Sequence, residues 1–218
     1  MNAYITLLIL VTEVRSGIAQ SEVYCNGTNM TPRMRSTVEY AHNSYRATLA
    51  KGKAGGYPKA SNMSYLFYSC DFENKALDIA KLNCNHTSHL NFNYVGSNNA
   101  TFTGRYLNTT ELVAAEAVIQ WWNTGKLHNP PQNLTPSENN TSEIPFLQMV
   151  NGATTRIGCA FHICQNGCHP FVSFVCTYGP AHVKFGVPLY TIGRECAACG
   201  GKRNKSCLGR SLCNNSVV

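Results

Sequence analysis

The chain has 218 residues, of which 44% are hydrophobic and 13% are charged, with a formal net charge of +7 and 11 cysteines. This length suits one domain with a small appendage, and the composition argues against disorder, coiled coils and collagen-like repeats. Only one apolar run, residues 3–11, resembles a membrane segment, and it is shorter than the ~20 residues that a spanning helix needs. We therefore expect a packed, cross-linked globule without membrane insertion.

The apolar run lies at the N-terminus and is followed by Gly17 and Ala19, small residues of the kind that a signal peptidase reads. This pattern predicts a cleaved secretion signal over residues 1–19. All 11 cysteines lie downstream of it, which suits an oxidising compartment where disulfides form. The sequence therefore predicts a secreted, extracellular protein.

Asn-x-Ser/Thr sequons, the acceptor pattern for N-glycosylation, recur along the chain more often than chance would give. Asn29 and Asn133 are poorer acceptors because a proline follows the threonine of each sequon. The neighbours Asn139 and Asn140 are not expected to carry glycans together. The predicted glycan sites are Asn26, Asn62, Asn85, Asn99, Asn108, Asn139, Asn204 and Asn214.

Three segments show helical periodicity, namely residues 37–49, 71–82 and 109–123. The first ends at Gly52, and the second begins with acidic residues that suit the positive end of a helix. Apolar side chains spaced by about one helical turn form each stripe: Val38, Ala41, Tyr45 and Leu49; then Phe72, Ala76, Ile79 and Ala80; then Leu112, Ala115, Ile119 and Trp122.

The second half of the chain changes in character. Residues 124–143 hold several prolines and sequons and predict a long exposed loop, followed by a short helix over residues 145–150. Residues 155–164 and 171–178 are rich in β-formers and flank Asn166-Gly167, which predicts a hairpin. Helices followed by antiparallel strands indicate a layered α+β fold.

The cysteines predict disulfides rather than a metal site. Cys196-x-x-Cys199 with two later cysteines could bind zinc, but the later pair is too widely spaced for a second Cys-x-x-Cys. The odd total leaves one thiol unpaired or paired between chains, and we expect it to be Cys164 or Cys168; a catalytic cysteine beside His162 or His169 is the alternative. The cysteines expected in disulfides are Cys25, Cys70, Cys84, Cys159, Cys176, Cys196, Cys199, Cys207 and Cys213.

A series of motifs, all in order, resembles the CAP superfamily of cysteine-rich secretory, antigen 5 and pathogenesis-related proteins, and specifically its nematode Ancylostoma-secreted-protein-like branch. The motifs lie at residues 41–46, 60–63, 68–73, 117–122, 146–150, 156–160, 175–180 and 188–190, and the Cys-x-x-Cys tail follows. The resemblance implies a three-layer α-β-α sandwich over residues 20–180 and a cysteine-rich extension over residues 181–218. It also implies structural roles for the asparagine and arginine beside His42, and we expect His42 itself to be a satisfied, half-buried residue rather than a catalytic one.

The same resemblance implies a cleft with two histidines and two glutamates that holds a divalent cation in some members. This chain departs from it: His86 or His89 could stand for the first histidine, whereas Ser97, Thr124 and Pro145 occupy the other three positions. Zinc normally needs three or four protein ligands. We therefore predict no metal, no cofactor and, with only Asp71 and Asp78 as mature-chain aspartates, no enzymatic activity.

The function that remains is recognition by surface loops. Relatives in this branch imply a host-directed inhibitor of integrin-type adhesion receptors on platelets or neutrophils. Contacts are expected at the exit of the first helix and in the loop over residues 124–143, at Lys51, Lys53, Lys126 and His128.

Two other functions stay open. A lipid or sterol carrier would use apolar residues around a cavity, with Phe92, Tyr94 and Phe102 as candidates, although core packing explains them as well. Glycosaminoglycan binding would use Lys202, Arg203, Lys205 and Arg210 in the tail. Nucleic-acid binding is not expected of an exported glycoprotein.

Overall fold

The structure is a computed structural model that describes residues 23–85, 96–125, 129–165, 169–200, 207–209 and 211–215. The predicted signal over residues 1–19 therefore lies outside the described residues. The helices are α1 (Pro32–Ala50), α2 (Cys70–Leu82), α3 (Thr110–Thr124) and α4 (Ile144–Met149). The strands are β1 (Phe67–Tyr68), β2 (Ser97–Phe102), β3 (Arg156–Cys164), β4 (Phe171–Gly179), β5 (Cys207–Leu208) and β6 (Leu212–Cys213).

Four strands form the central sheet in the order β1-β3-β4-β2. β3 and β4 are the predicted antiparallel hairpin, with Cys159 opposite Cys176, and β2 runs antiparallel to β4. The two-residue β1 pairs parallel with β3. β5 and β6 form a separate two-stranded sheet in the tail.

Alternation along the hairpin explains why both faces of the sheet are covered. Gly158 faces α2 so closely that a Cβ atom there would lie 2.1 Å from the backbone nitrogen of Glu73. Its partner Thr177 donates a hydrogen bond to the carbonyl of Phe72 in the same helix. The next residue, Tyr178, reaches the opposite face and contacts His42 of α1. The predicted three-layer α-β-α sandwich is therefore confirmed.

α1 begins five residues earlier than its predicted start at residue 37. Thr31 caps the helix by accepting a hydrogen bond from the backbone nitrogen of Met34 at 3.2 Å, and Pro32 occupies the first turn. Both are N-terminal signals that the apolar stripe alone does not contain. The end near Gly52 is as predicted, and Gly52 adopts a φ of +71° that suits glycine.

The buried face of α3 differs from the prediction. Leu112 and Ile119, expected to point inward, are 53% and 42% exposed. The buried residues of this helix are Val113, Ala114, Ala117, Val118, Trp121 and Trp122. The helix is apolar around most of its circumference, and a shift of one residue rotates the buried face by about 100°.

The segment predicted as a long exposed loop, residues 124–143, is partly packed in its described part. It forms 3-10 turns at Gln132–Leu134 and Glu138–Glu143. Leu134 and Glu143 are buried, so the segment contributes to the core as well as to the surface. The short helix that follows, α4, matches the predicted position.

Five disulfides cross-link the described residues: Cys25–Cys70, Cys84–Cys164, Cys159–Cys176, Cys196–Cys207 and Cys199–Cys213. Cys164, one of the two candidates for an unpaired thiol, is therefore bonded to Cys84 in the turn that follows α2. This bond also removes Cys164 as a candidate nucleophile. The other candidate, Cys168, lies outside the described residues.

The tail is held by more than its disulfides. Residue Cys213 exchanges backbone hydrogen bonds with Met63 and Tyr65, and Leu212 is buried against the main core. Leu189 and Tyr190, upstream of the Cys-x-x-Cys pair, are also core residues. None of the helices described is both long and apolar enough to cross a membrane.

Candidate functional site

Three positions that the resemblance places in a metal cleft, Ser97, Thr124 and Pro145, are among the described residues. They lie at one junction, where β2 begins, α3 ends and α4 begins. Thr124 Oγ1 donates to the carbonyl of Trp121 at 2.8 Å and accepts from the backbone nitrogen of Phe146 at 3.2 Å. The carbonyl of Pro145 accepts from Asn98 Nδ2 at 2.8 Å. Thr124 therefore joins α3 to α4, and Pro145 contributes its backbone oxygen to a bond with β2. His86 and His89 lie outside the described residues.

A buried chain of hydrogen bonds runs from this junction to α1. His42 Nδ1 lies 2.8 Å from the carbonyl of Val38, so this nitrogen carries the proton. Burial, aided by the charge of Arg46, lowers the pKa of His42 to about 4. The neutral ring therefore accepts at Nε2 from the Tyr178 hydroxyl, 2.8 Å away, and Asn98 Nδ2 donates to that hydroxyl at 3.1 Å. His42 thus has both ring nitrogens bonded in a structural role, but it is fully buried rather than half-buried as expected.

A buried carboxylate of the described core, that of Glu73, also has a structural role. Glu73 is fully buried and forms an ion pair with Arg35, with Nε and Oε2 2.7 Å apart. The same carboxylate accepts hydrogen bonds from the hydroxyls of Tyr68 and Thr28. Asp71 and Asp78 lie on the exposed face of α2.

One group of described residues has the spacing of a metal site, with the sulfurs of Cys196, Cys199 and Cys213 within 4.8 Å of one another. All three sulfurs are in disulfides. A disulfide sulfur is not the thiolate that zinc binds. The tail cluster is therefore a cross-link in this structure.

A cavity of about 350 Å³ opens beside the junction. We call it the Gln148 cavity and define it by Ser97, Ile144, Gln148, His182, Lys184 and Phe185. Gln148 Oε1 accepts a hydrogen bond from the backbone nitrogen of Val183 at 3.1 Å, which fixes the segment after β4 against α4. His182 and Lys184 carry no signal in the sequence, because this segment has no periodic pattern and reaches the junction only through the fold.

Comparison with known proteins identifies the architecture. A protein-family model, "CAP: Cysteine-rich secretory protein family", matches residues 39–178, more than half of the chain. The chain belongs to the CAP family. It is 29% identical over 191 residues to the Ancylostoma secreted protein of Ancylostoma caninum, covering 80% of this chain and 42% of that protein. It is 32% identical over 188 residues to peptidase inhibitor 15 of Xenopus laevis, covering 80% of this chain and 67% of that protein.

Solved CAP structures with the same fold include nematode-type secreted proteins. BmVAL-1 has a TM-score of 0.76 at 26% identity, over 89% of this chain and all of that one. NaASP2 with Zn²⁺ has a TM-score of 0.68 at 27% identity, over 80% and 93%. A hookworm platelet inhibitor has a TM-score of 0.64 at 25% identity, over 80% and 85%. This chain is thus a CAP protein of the nematode Ancylostoma-secreted-protein type.

Two of the four predicted contact residues of this CAP protein directly follow α1. Lys51 and Lys53 are exposed, while Lys126 and His128 lie outside the described residues. Lys53 also stands at the mouth of a second cavity of about 340 Å³ between α1 and α3. Tyr45, Tyr57, Trp122 and Phe146 line this cavity, and the Tyr45 and Trp122 rings stack with their centroids 4.4 Å apart.

The predicted glycan and lipid residues of the CAP domain fall into different environments. Phe102, a lipid candidate, is buried against Tyr106, whereas Phe92 and Tyr94 lie outside the described residues. Of the predicted sequons, Asn26, Asn99, Asn108 and Asn139 are exposed, and Asn62 and Asn214 are partly buried. Asn204 and the side chain of Asn85 lie outside the description.

Proposed function

We propose that this CAP protein is secreted and acts without catalysis, by binding and inhibiting a host cell-surface adhesion receptor of the integrin type on platelets or neutrophils. The observation that carries the proposal is the likeness to a hookworm platelet inhibitor across the sandwich. Secretion is supported by the predicted signal, the five disulfides and the exposed sequons.

The lack of catalysis is supported by how the polar side chains of the described core are used. His42 is buried and bonded on both ring nitrogens, and Glu73 is neutralised by Arg35. A general acid or base must reach a substrate proton at hydrogen-bond distance. Neither group has an exposed atom with which to do so.

The surface that we assign to the receptor is the exit of α1, where Lys51 and Lys53 add positive charge beside the loop over residues 51–56. Glu195 forms its ion pair with Lys59, 3.2 Å away, rather than with Lys51 or Lys53. Exposed basic groups at an interface accelerate and orient association with an acidic partner. The receptor patch is therefore expected to be acidic.

The test measures inhibition of platelet aggregation and of neutrophil adhesion by the purified, glycosylated protein. The wild type should inhibit at micromolar concentrations, and the double variant Lys51→Glu/Lys53→Glu should be weaker by about tenfold or more. Lys75→Glu/Lys81→Glu is the matched control, because it makes the same charge change on α2 across the sheet. Absence of inhibition by the wild type, or equal loss in both variants, would contradict the proposal.

A second candidate function, carriage of a lipid or sterol, is favoured by the aromatic cavity between α1 and α3. Its rings are apolar, and Lys53 at the mouth could pair with an acidic head group. Native mass spectrometry of protein from a eukaryotic secretory host should then show a retained ligand, released by Tyr45→Ala. A protein that stays at its glycosylated mass after incubation with fatty acids and sterols would exclude this function.

A further inference from the structure

The Gln148 cavity contains hydrogen-bond donors that the protein itself does not use. Gln148 is only 2% exposed, and its Oε1 is taken by the backbone nitrogen of Val183. This bond fixes the orientation of the amide, so Nε2 carries two N–H donors. Within the described structure, Nε2 is buried and has no hydrogen-bond partner.

The hydroxyl of Ser97 is a second donor of this kind on the wall of the same cavity. Its Oγ atom is buried and has no partner among the described residues. A buried polar group without a hydrogen-bond partner destabilises the folded state. Two such groups on the wall of one cavity indicate a ligand that accepts hydrogen bonds.

Gly96 keeps this wall open to Gln148 and His182. Its φ is +55°, and a Cβ atom there would lie 2.8 Å from Gln148 Oε1 and 2.3 Å from His182 Cβ. A side chain at this position would displace both residues. The close approach of the backbone therefore positions the amide and the imidazole next to each other.

The charge of the cavity has one sign. Lys184 is exposed at the rim, and no aspartate or glutamate is among the described residues that line the cavity. Burial, and secondly the charge of Lys184, lower the pKa of His182. Ile144, Val183 and Phe185 supply the apolar remainder of the wall.

We propose that the Gln148 cavity binds a carboxylate carried on a small apolar body. The carboxylate accepts from Gln148 Nε2 and Ser97 Oγ and is attracted by Lys184, while the apolar body contacts Ile144 and Phe185. Such a mixture of an apolar wall with a few convergent donors is typical of small-ligand sites. The ligand is either a free organic acid or the C-terminal carboxylate of a peptide. This site is independent of the receptor proposal.

The experiment titrates isotope-labelled protein by NMR with two matched pairs: hexanoate with hexanamide, and N-acetyl-leucine with N-acetyl-leucinamide. The carboxylate of a pair should bind at least about tenfold more tightly than its neutral amide and should shift the Gln148 side-chain N–H signals. Binding of hexanoate alone identifies a free acid, and binding of N-acetyl-leucine identifies a peptide terminus. Equal affinity of acid and amide, or shifts confined to the cavity of Tyr45 and Trp122, would overturn the proposal.

Two variants, Ser97→Ala and Lys184→Ala, should change ligand affinity without destabilising the fold. Ser97→Ala removes a hydroxyl that bonds to nothing in the described structure, so the melting temperature should hold or rise while carboxylate affinity falls. Lys184→Ala should weaken binding severalfold, and Lys81→Ala, another exposed lysine, is its control. Unchanged affinity in both Ser97→Ala and Lys184→Ala would place the ligand elsewhere and reject the site.

Discussion

The Nε2 atom of His42 lies 2.8 Å from the hydroxyl oxygen of Tyr178, and this bond joins α1 to the sheet in the interior of the sandwich. The hydroxyl also accepts from Asn98 Nδ2, whose second bond reaches the carbonyl of Pro145. The Tyr178 hydroxyl of β4 is therefore bonded directly to α1 and to β2, and it is linked to α4 through the amide of Asn98. The positions that the resemblance places in a metal cleft thus have neighbours that stabilise the fold.

Tyr178→Phe tests this connection. The variant leaves the His42 acceptor without a donor and removes one acceptor of Asn98, so we expect a loss of about 2 kcal/mol in the free energy of unfolding. Urea denaturation measures it. Tyr40→Phe, at a tyrosine that is 70% exposed, should change stability by less than about 0.5 kcal/mol. Equal stability of Tyr178→Phe and the wild type would show that the hydroxyl contributes nothing.

The protonation of His42 gives the fold a predictable pH dependence. Burial lowers its folded-state pKa to about 4, against about 6.5 in an unfolded chain. Between these values the unfolded state binds the extra proton, so stability is complete above pH ~6.5 and is lost as the pH falls toward 4, by about 3 kcal/mol at most. The lowered pKa of His182 adds to this trend, and the raised pKa of Glu39 opposes it.

A ring-specific measurement separates His42 from these other groups. Long-range ¹H–¹⁵N spectra should show a neutral His42 ring, protonated at Nδ1, at both pH 7 and pH 5. Titration of His42 near pH 6.5 would contradict the buried, neutral assignment.

The sequence was sufficient for the order of the layers but not for the orientation of every face. Regular periodicity and a clear N-terminal charge pattern placed α2, and the hairpin followed from β-forming residues around Asn166-Gly167. α3 was placed correctly along the chain, but it is apolar around most of its circumference, so the sequence could not show which face is buried. Packing against α1 and α4 buries Trp121 and leaves Ile119 exposed. Cys164 could not be assigned because pairing depends on where α2 ends in space.

The residues of the candidate functional site could likewise be predicted only in part from the sequence. Motif order located Ser97, Thr124 and Pro145, and the structure brings them to one junction. His182 and Lys184, which line the Gln148 cavity, were not found from the sequence, because the segment that carries them follows β4 as irregular backbone. Contacts of this kind are determined by the closing of the sandwich rather than by local propensity.

A zinc titration tests the expected absence of a metal ion at the junction. Ser97 and Thr124 offer neutral hydroxyls and Pro145 offers no side-chain ligand, whereas zinc sites in proteins use nitrogen, thiolate or carboxylate ligands. Calorimetry on the oxidised protein should give no stoichiometric heat, and chelators should leave its melting temperature unchanged. One equivalent of zinc bound at micromolar affinity would contradict the expectation.

The adjacent sequons at Asn139 and Asn140 test whether local structure determines which asparagine carries the glycan. Asn140 accepts from the backbone nitrogen of Ser137 at 2.9 Å and donates to Glu143 at 3.1 Å, whereas Asn139 is exposed. We expect the glycan on Asn139. Mass spectrometry of glycopeptides should show that Asn139→Gln removes this glycan and that Asn140→Gln retains it. A glycan found on Asn140 in the wild type would mean that the turn forms after glycosylation.

Arg46 is a cation in the interior that is bound by backbone carbonyls. Its five N–H groups donate to the carbonyl oxygens of Ser64, Met149, Asn151 and Thr154 at distances between 2.7 and 3.2 Å, with Ser64 accepting twice. The planar guanidinium thereby fixes the segments after α1 and α4 against each other. Lysine has three donors and no fork, so it cannot reproduce this pattern.

Arg46→Lys is therefore expected to cost about 3 kcal/mol or more, because at least one buried carbonyl loses its partner and the others keep bonds of poorer geometry. That is a large share of the 5–15 kcal/mol that typically stabilises a domain. Urea unfolding gives the value, and limited proteolysis should show faster cleavage within residues 149–154. Arg33→Lys, the same change at an exposed position of α1, should leave both readouts unchanged. A stability of Arg46→Lys within about 1 kcal/mol of the wild type would mean that charge alone, and not the fork of donors, holds these segments together.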